Sequence, residues 1–533
     1  MATPFPRRPD GGPPLVRSTV PAPTEREAEL AEAVEVYHRT YTTVLRSSGE
    51  TALRVLEPSH RAMGSSLHPL ASSHEPDLGA FLYAVRRLPE AIYTAKTVLM
   101  GQSAEVFTQR GYGSVTRWAE ASAPGRRRRW HDDGQGTLAV LIASASDVDD
   151  LIPTMVALQI EWNKLHAALA AGAVDEIEST AAGDLPAFVG GSEDDWLQLH
   201  EVWGRAFGQR LALIASRKMA LQVQMLGGTQ VGYARVTRRW WQQVTGVMRS
   251  ESLLQRPLYF VSSNSHSIAN LVTGLARRQE QRLVEWVSDQ GPADLREELY
   301  RLRDGNNDSS ASWANFLFYA ARLHFRAASE TDRARLRHDE REAGVLSVSS
   351  RTALDVAAQV IPLDRLSLAN LDDRIGSVDA DVLRQSNAVI VNIDYPLGLA
   401  AYNILREVAE TAAELRGVYI LGKAATLNAD VGDVMISSVI HDEHSGSTYW
   451  LDNAFSVADI APYLRFGSGL DNQRTVSVKG TFLQNRGYLD FYYREAFTVV
   501  DMAAGPYCAA VYELTETSRY PIGEPVNFSK LPI

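Results

Sequence analysis

Three polar loops carry the residue types that could hold an anionic small molecule. Ser262-Ser263-Asn264-Ser265-His266-Ser267 follows the apolar run Leu258–Val261 and leads into a helical pattern from Ile268. Strand, polar loop and helix start is an arrangement in which free backbone N–H groups and hydroxyls bind an anion. Asn264 and His266 are the candidate ligands, and His266 could donate to a phosphate or carboxylate. The same residues also read as a cap and turn cluster, with His266 bonded to backbone. The other two loops are Asp394-Tyr395-Pro396-Leu397-Gly398, after the run Val389–Ile393, and the small-residue stretch Gly422–Asn428, after Val418–Leu421. Each stands at the carboxyl end of an apolar run, where α/β sheets bind ligands.

Other clusters admit plainer readings. Asp147, Asp149 and Asp150 could gather around Mg²⁺, but acidic residues in a first helical turn are already favoured by the helix dipole, and that is the preferred reading. His441-Asp442-Glu443-His444 has zinc-binding residue types. It follows directly on a strand, however, where alternate side chains point to opposite faces, so no metal site is assigned. Arg126–Arg129, ahead of the turn Asp132-Asp133-Gly134, reads as a solvated loop rather than a nucleic-acid contact. His60 and His68 read as packing or surface residues. Tyr488, Phe491, Tyr492 and Tyr493 could wall a base or fill a core.

The elements that would position these residues suggest several domains. A chain of 533 residues exceeds one ordinary core. Residues 1–24 read as a disordered Pro/Gly-rich leader and 25–135 as a helical region, with Pro89 kinking a helix over Asp77–Leu99. Residues 136–343 read as an α/β middle region containing strands Thr137–Ala143 and Leu258–Val261, an aromatic helix Trp313–Arg326, and a charged, solvated helix or linker Glu330–Glu342. Residues 344–533 form the last domain. There Val389–Ile393, a helix Leu399–Leu415, Val418–Leu421 and a strand from Val434 read as parallel βαβ structure, because their apolar runs are continuous rather than alternating. The fold class is therefore α/β. The net charge of −11 argues against general affinity for nucleic acid or anionic membrane. One cysteine, Cys508, excludes an intramolecular disulfide framework. No apolar run is long enough to span a bilayer, and a cytoplasmic setting is expected.

Taken in order, Ile390-Val391-Asn392-Ile393, an Ala-rich helix, a strand ending in Gly422, Leu427-Asn428, Val431-Gly432-Asp433-Val434 and the late Val499-Val500-Asp501-Met502 resemble the purine nucleoside phosphorylase/nucleosidase superfamily, AMP nucleosidases in particular. The resemblance covers about 150 of 533 residues. It implies a nucleoside phosphorylase-like C-terminal domain that hydrolyses or phosphorolyses the N-glycosidic bond of a purine nucleoside or nucleotide. It also implies phosphate as a co-substrate with no other cofactor, and a homo-oligomer. Gly422, Lys423 and Ala424 would bind phosphate, with Lys423 balancing its charge, and Met502 would pack on the ribose. Asp501 could contact the ribose, although capping the following helix suits it better.

Three departures set an alternative beside this reading. Ala503 stands where the superfamily has a ribose-binding Glu. Asp394 and Pro396 stand where it has phosphate-admitting glycines. No Asp occurs from Ala503 to Ile533, where an acid should serve the leaving base, and Tyr520–Ile533 reads as a loop where a strand and helix should follow, so the domain is read as shortened or degenerate. The alternative is a catalytically lapsed nucleotide-binding protein with a regulatory or assembly role.

Overall fold

The computed structural model describes residues 25–46, 49–123, 125–170, 182–303, 310–375, 379–464, 467–515 and 530–532. The expected leader, the centre of the loop 301–312 and most of the loop 520–533 lie outside them. The chain is α/β, as expected, and builds three mixed sheets. No helix among the described residues is long and apolar enough to cross a membrane.

In the first sheet, Thr97–Gly101 lies between Gln222–Met225 and Thr137–Leu141, parallel to both. Arg126–Asp132 and Ala119–Ala123 extend it antiparallel. Successive side chains of a strand face opposite ways, and this sheet uses both faces. Val98 and Met100 join the core under the helix Ala145–Ala170, whereas Leu99 joins the core of the helix Gln230–Ser250.

The second sheet runs Leu415–Ile420, Leu258–Ser263, Val389–Asp394, Ala358–Pro362, Leu346–Val348. The first three strands are parallel, with Val391 opposite Phe260 and Val418 opposite Phe260 on its other side. The βαβ unit expected from Val389 to Leu421 is present, its helix spanning Ala400–Thr411. Its two strands are not neighbours, because Leu258–Ser263 inserts between them. The boundary expected near Gly344 therefore runs through a sheet. The third sheet is centred on the long strands Val434–Asp442 and Gly469–Ser477, with the short strand Val499–Asp501 beside the latter. The strand from Val434 thus belongs to a different sheet from Val389–Asp394, and the chain passes between the two sheets through Gly422–Ala424.

Two local readings need correction. Residues 25–135 are not simply helical, since Thr97–Gly101 is a central strand. A run buried on both faces lacks polar alternation and resembles a buried helix segment. Arg126–Asp132 is a strand and not a solvated loop. Arg126 Nη2 lies 3.0 Å from Asp150 Oδ1, Arg128 Nε 2.7 Å from Asp147 Oδ1, and Arg128 Nη1 2.8 Å from Asp150 Oδ2. Asp147 and Asp150 thus neutralise Arg126 and Arg128, while Asp149 pairs with Tyr41 and His38. Asp147, in the first turn of the helix Ala145–Ala170, also accepts from Ala143 N at 2.7 Å and Ser144 N at 3.1 Å, where the helix dipole favours its charge.

His60 and His68 form part of a buried chain rather than packing singly. Tyr37 Oη sits 3.1 Å from His60 Nδ1, His60 Nε2 3.0 Å from His68 Nδ1, and His68 Nε2 2.6 Å from Glu161 Oε1. Lys164 Nζ closes the chain 2.7 Å from Glu161.

Two stability predictions follow from these buried charges. Burial would raise the Asp150 carboxyl, but Arg128 and Arg126 outweigh it and hold it well below the usual range. Asp150→Ala leaves both guanidiniums without this partner and should cost about 3–5 kcal/mol, read from the midpoint of urea unfolding. Burial first, then the positive charge of His68, Arg61 and Lys164, depresses the His60 imidazole. A depressed imidazole binds its proton more readily in the unfolded chain. Stability should therefore hold above pH ~6.5 and fall below it by up to about 1.4 kcal/mol per pH unit. Unfolding of His60→Gln, measured from pH 8 to 5, should show a flatter acid limb.

Candidate functional site

The site is built on a row of polar side chains crossing the second sheet. Ser263, Asn392 and Gln359 share one face, because Asn392 pairs with Gln359 across one interface and Asp394 with Ser263 across the other. All three are buried, Asn392 completely. Buried amides must find partners, and these find one another. Ser263 Oγ donates to Asn392 Oδ1 at 2.7 Å, and Asn392 Nδ2 donates to Gln359 Oε1 at 2.9 Å. The remaining donors reach the loop beyond the strand: Asn392 Nδ2 bonds Asn264 O and Gln359 Nε2 bonds Ser265 O, each at 2.9 Å. The loop that carries His266 is thereby fastened to the sheet.

Asn264 spends its side-chain oxygen on the backbone, accepting from His266 N at 3.0 Å and Ser267 N at 2.6 Å at the start of the helix Ser267–Thr273. His266 faces a cavity of about 260 Å³ that it lines with Arg127, Arg322, Arg326, Glu340 and Asp394. Its Nδ1 is buried without a hydrogen-bond partner. Burial, then the charge of Arg322, depresses the imidazole to about 4; Asp394 opposes this, while Arg326 and Lys423 add to it. Leu275, Leu283, Phe325 and Leu336 give the cavity an apolar side.

Positive charge is crowded around this space. Arg322 and Arg326 stand one turn apart on the helix Ser310–Ala327, so they share a face. Among the described residues neither guanidinium has a hydrogen bond or ion pair. Burial and the like charges of Arg322 and Arg127 lower the pKa of Arg326. Arg127 reaches in from the first sheet, salt-bridged to Asp394 and donating to Tyr395 O at 2.5 Å. An anion between these groups would relieve the repulsion and complete their hydrogen bonding.

The other sequence candidates do not line this cavity, although the charge of Lys423 reaches His266. Gly422, Lys423 and Ala424 are exposed where the chain leaves the second sheet. They approach the Asp501 strand, since Ala425 pairs with Val500. Asp501 is engaged as a cap: Oδ1 accepts from Ser477 Oγ, and Oδ2 from Ala503 N at 2.9 Å and Ala504 N at 2.7 Å. Burial raises its pKa despite those bonds. Met502 packs with the aromatic helix Arg486–Arg494, and Ala503 lies against the central core. Tyr492, from the proposed aromatic wall, donates to Glu443. His441 pairs with Thr448 and His444 with Asp442, each at 2.9 Å. Lys423 thus stands between the two places, near enough to His266 to act on its imidazole and leading into a strand paired with Val500, while His266 lines the cavity and Asn264 does not.

Sequence reasoning missed Arg322, Arg326 and Glu340; it placed Asp394 in a candidate ligand loop, but at a position where the resemblance called for a phosphate-admitting glycine. A signal for the arginine pair existed: two cations at i, i+4 in an otherwise aromatic and apolar helix.

No curated protein matches the chain. Among solved structures, a 5′-methylthioadenosine/S-adenosylhomocysteine nucleosidase from Neisseria meningitidis, in complex with methylthio-immucillin-A, is 16% identical. The match covers 38% of this chain and 82% of that one with a TM-score of 0.24, too loose to argue from. The model of a family of unknown function, DUF6909, matches residues 53–533, nearly the whole chain. The chain belongs to the DUF6909 family.

Proposed function

We propose that this chain binds a phosphate-bearing small molecule of the nucleotide class in the cavity beyond Leu258–Ser263 and Val389–Asp394. The observation that carries the reading is the pair of unpartnered guanidiniums, Arg322 and Arg326, turned into a cavity that also holds Arg127 and the unpaired Nδ1 of His266. Arginine presents a planar fork of donors matched to phosphate oxygens. The apolar side formed by Leu283, Phe325 and Leu336 suits a body less polar than the phosphate. The place also suits a ligand, since it lies at the carboxyl ends of parallel strands.

This reading keeps the nucleotide of the sequence resemblance but moves it away from Lys423 and Met502, which do not line the cavity. It favours binding over cleavage of an N-glycosidic bond at the Asp501 edge. There the carboxylate oxygens already serve Ser477, Ala503 and Ala504, and Ala503 offers a methyl where ribose hydroxyls would need an acceptor.

The test is titration calorimetry with AMP, ribose 5-phosphate, inorganic phosphate and adenosine. AMP and ribose 5-phosphate should bind, and adenosine at least about tenfold more weakly. Losing charge-assisted bonds worth about 1.5–3 kcal/mol should weaken AMP binding by about ten- to a hundredfold in Arg322→Ala/Arg326→Ala. Equal affinity for AMP in the wild type and the double variant would refute the assignment, as would no binding of any phosphate compound.

A further inference from the structure

A second cavity, of about 230 Å³, opens on the first sheet and shares no lining residue with the one beside His266. It lies past the carboxyl end of Thr97–Gly101, between the short helix Ala104–Gln109 and the first turns of Gln230–Ser250. The ends of parallel strands are where such sheets receive ligands. Gln102, the residue after that strand, lines the cavity and is only 6% exposed. Its Nε2 donates to Thr229 O at 2.8 Å, which fixes the orientation of the amide. The amide oxygen has no hydrogen-bond partner among the described residues. It lies over Gly232, where a Cβ would stand 2.1 Å away, so glycine is what leaves room for it. Buried acceptors are normally paired, and this one is complemented by an N–H or O–H group of a ligand.

The charges around this acceptor are of both signs. Arg235 and Arg239 stand one turn apart on Gln230–Ser250 and share a face. Arg235 has no hydrogen bond or ion pair among the described residues. Arg239 Nη1 lies 3.4 Å from each oxygen of Glu105 on the facing helix, their side chains 47% and 60% exposed. An ion pair so long and so exposed contributes little, and a ligand opens it at small cost. The Ser103 hydroxyl and a backbone N–H, ahead of Arg239, hold the Glu105 carboxyl below its usual range. A bare anion here would suit the guanidiniums but face Glu105 and the Gln102 oxygen. A bare cation would meet both arginines. A carboxylate beside an ammonium serves every one of these groups. We propose that this cavity binds a free α-amino acid, its carboxylate on Arg235 and Arg239 and its ammonium on Glu105 and the Gln102 oxygen. Val106 and Val236 also line the space, so an uncharged side chain fits it best. None of these residues belongs to the phosphate cavity, and the two assignments stand or fall separately.

The full chain should be titrated by calorimetry with L-alanine, L-leucine and L-glutamine, and with acetate and methylamine as probes of each charge alone. At least one amino acid should bind with a Kd of about 1 mM or tighter, and acetate and methylamine at least about tenfold more weakly. Arg235→Ala/Arg239→Ala should weaken amino-acid binding by about ten- to a hundredfold, the loss expected of charge-assisted bonds. Glu105→Gln should weaken it by about fivefold, as for an exposed charge partner. All three side chains are exposed, so the variants should keep the wild-type thermal midpoint. Arg322→Ala/Arg326→Ala, in the other cavity, should leave amino-acid affinity within about twofold. No binding of any of the three amino acids up to about 10 mM overturns the proposal. Equal affinity in the wild type and Arg235→Ala/Arg239→Ala overturns it too, as does acetate binding as tightly as the amino acids, which marks a site for anions alone. Binding lost in Arg322→Ala/Arg326→Ala would put the amino acid in the other cavity and overturn it as well.

Discussion

Asn392 has no exposed surface, so its amide must be satisfied from inside the protein, and much of the local architecture follows from how that is done. Leaving one such group unpaired costs about 1–3 kcal/mol. Its neighbours, Ser263 on one strand and Gln359 on another, meet the demand only while Leu258–Ser263, Val389–Asp394 and Ala358–Pro362 keep their register. A slip of one residue would turn the whole row to the other face. The polar row therefore fixes the alignment of strands whose paired residues lie 129 (Ser263–Asn392) and 33 (Gln359–Asn392) positions apart in the chain, something non-directional apolar burial alone does less sharply. The same amides extend past the strands to Asn264 O and Ser265 O, so alignment and loop placement are set by one network.

This arrangement explains why the loop after Leu258–Ser263 can present His266 to the cavity. Asn264 uses its side chain to start a helix, and the peptide groups behind it are held by the sheet. The imidazole then lies beside arginines supplied by two other parts of the molecule, Arg127 from the first sheet and Arg322 and Arg326 from a helix outside the strands. The Arg127–Asp394 pair joins the first and second sheets at this point. The core beneath Trp240 and Val244 joins them elsewhere. The cavity is consequently a property of the assembled sheets, and no single βαβ unit contains it.

That dependence accounts for what could be read from the sequence. The runs Val389–Ile393 and Val418–Leu421 were legible because they are continuously apolar, and the intervening helix carries its own 3.6-residue period; the start of the strand Leu415–Ile420, with Arg416 exposed at the sheet edge, was given to that helix instead. The insertion of Leu258–Ser263 between them was not legible, since pairing partners leave no trace in local periodicity. The Arg126–Arg129 run misled for a related reason: the carboxylates that pair with it, Asp147 and Asp150 on a helix and Asp355 and Asp394 elsewhere, are brought alongside only by the fold.

The same logic separates the two ends at which a ligand was sought. At the third sheet, the capping potential that local sequence assigns to Asp501 is fully used: two backbone N–H groups and one hydroxyl consume the carboxylate. Local consistency there leaves little bonding capacity for anything else. At the second sheet, local rules leave a surplus. Arg322 and Arg326 contribute little to their own helix beyond propensity, and Glu340 sits on a charged helix whose other acids face solvent or cations. The unpaired Nδ1 of His266 and the mutual repulsion of Arg322 and the exposed Arg326 raise the free energy of the fold here. A bound anion lowers that free energy at the second sheet and would have no such work to do at the third, which is the physical ground for placing the ligand beside His266.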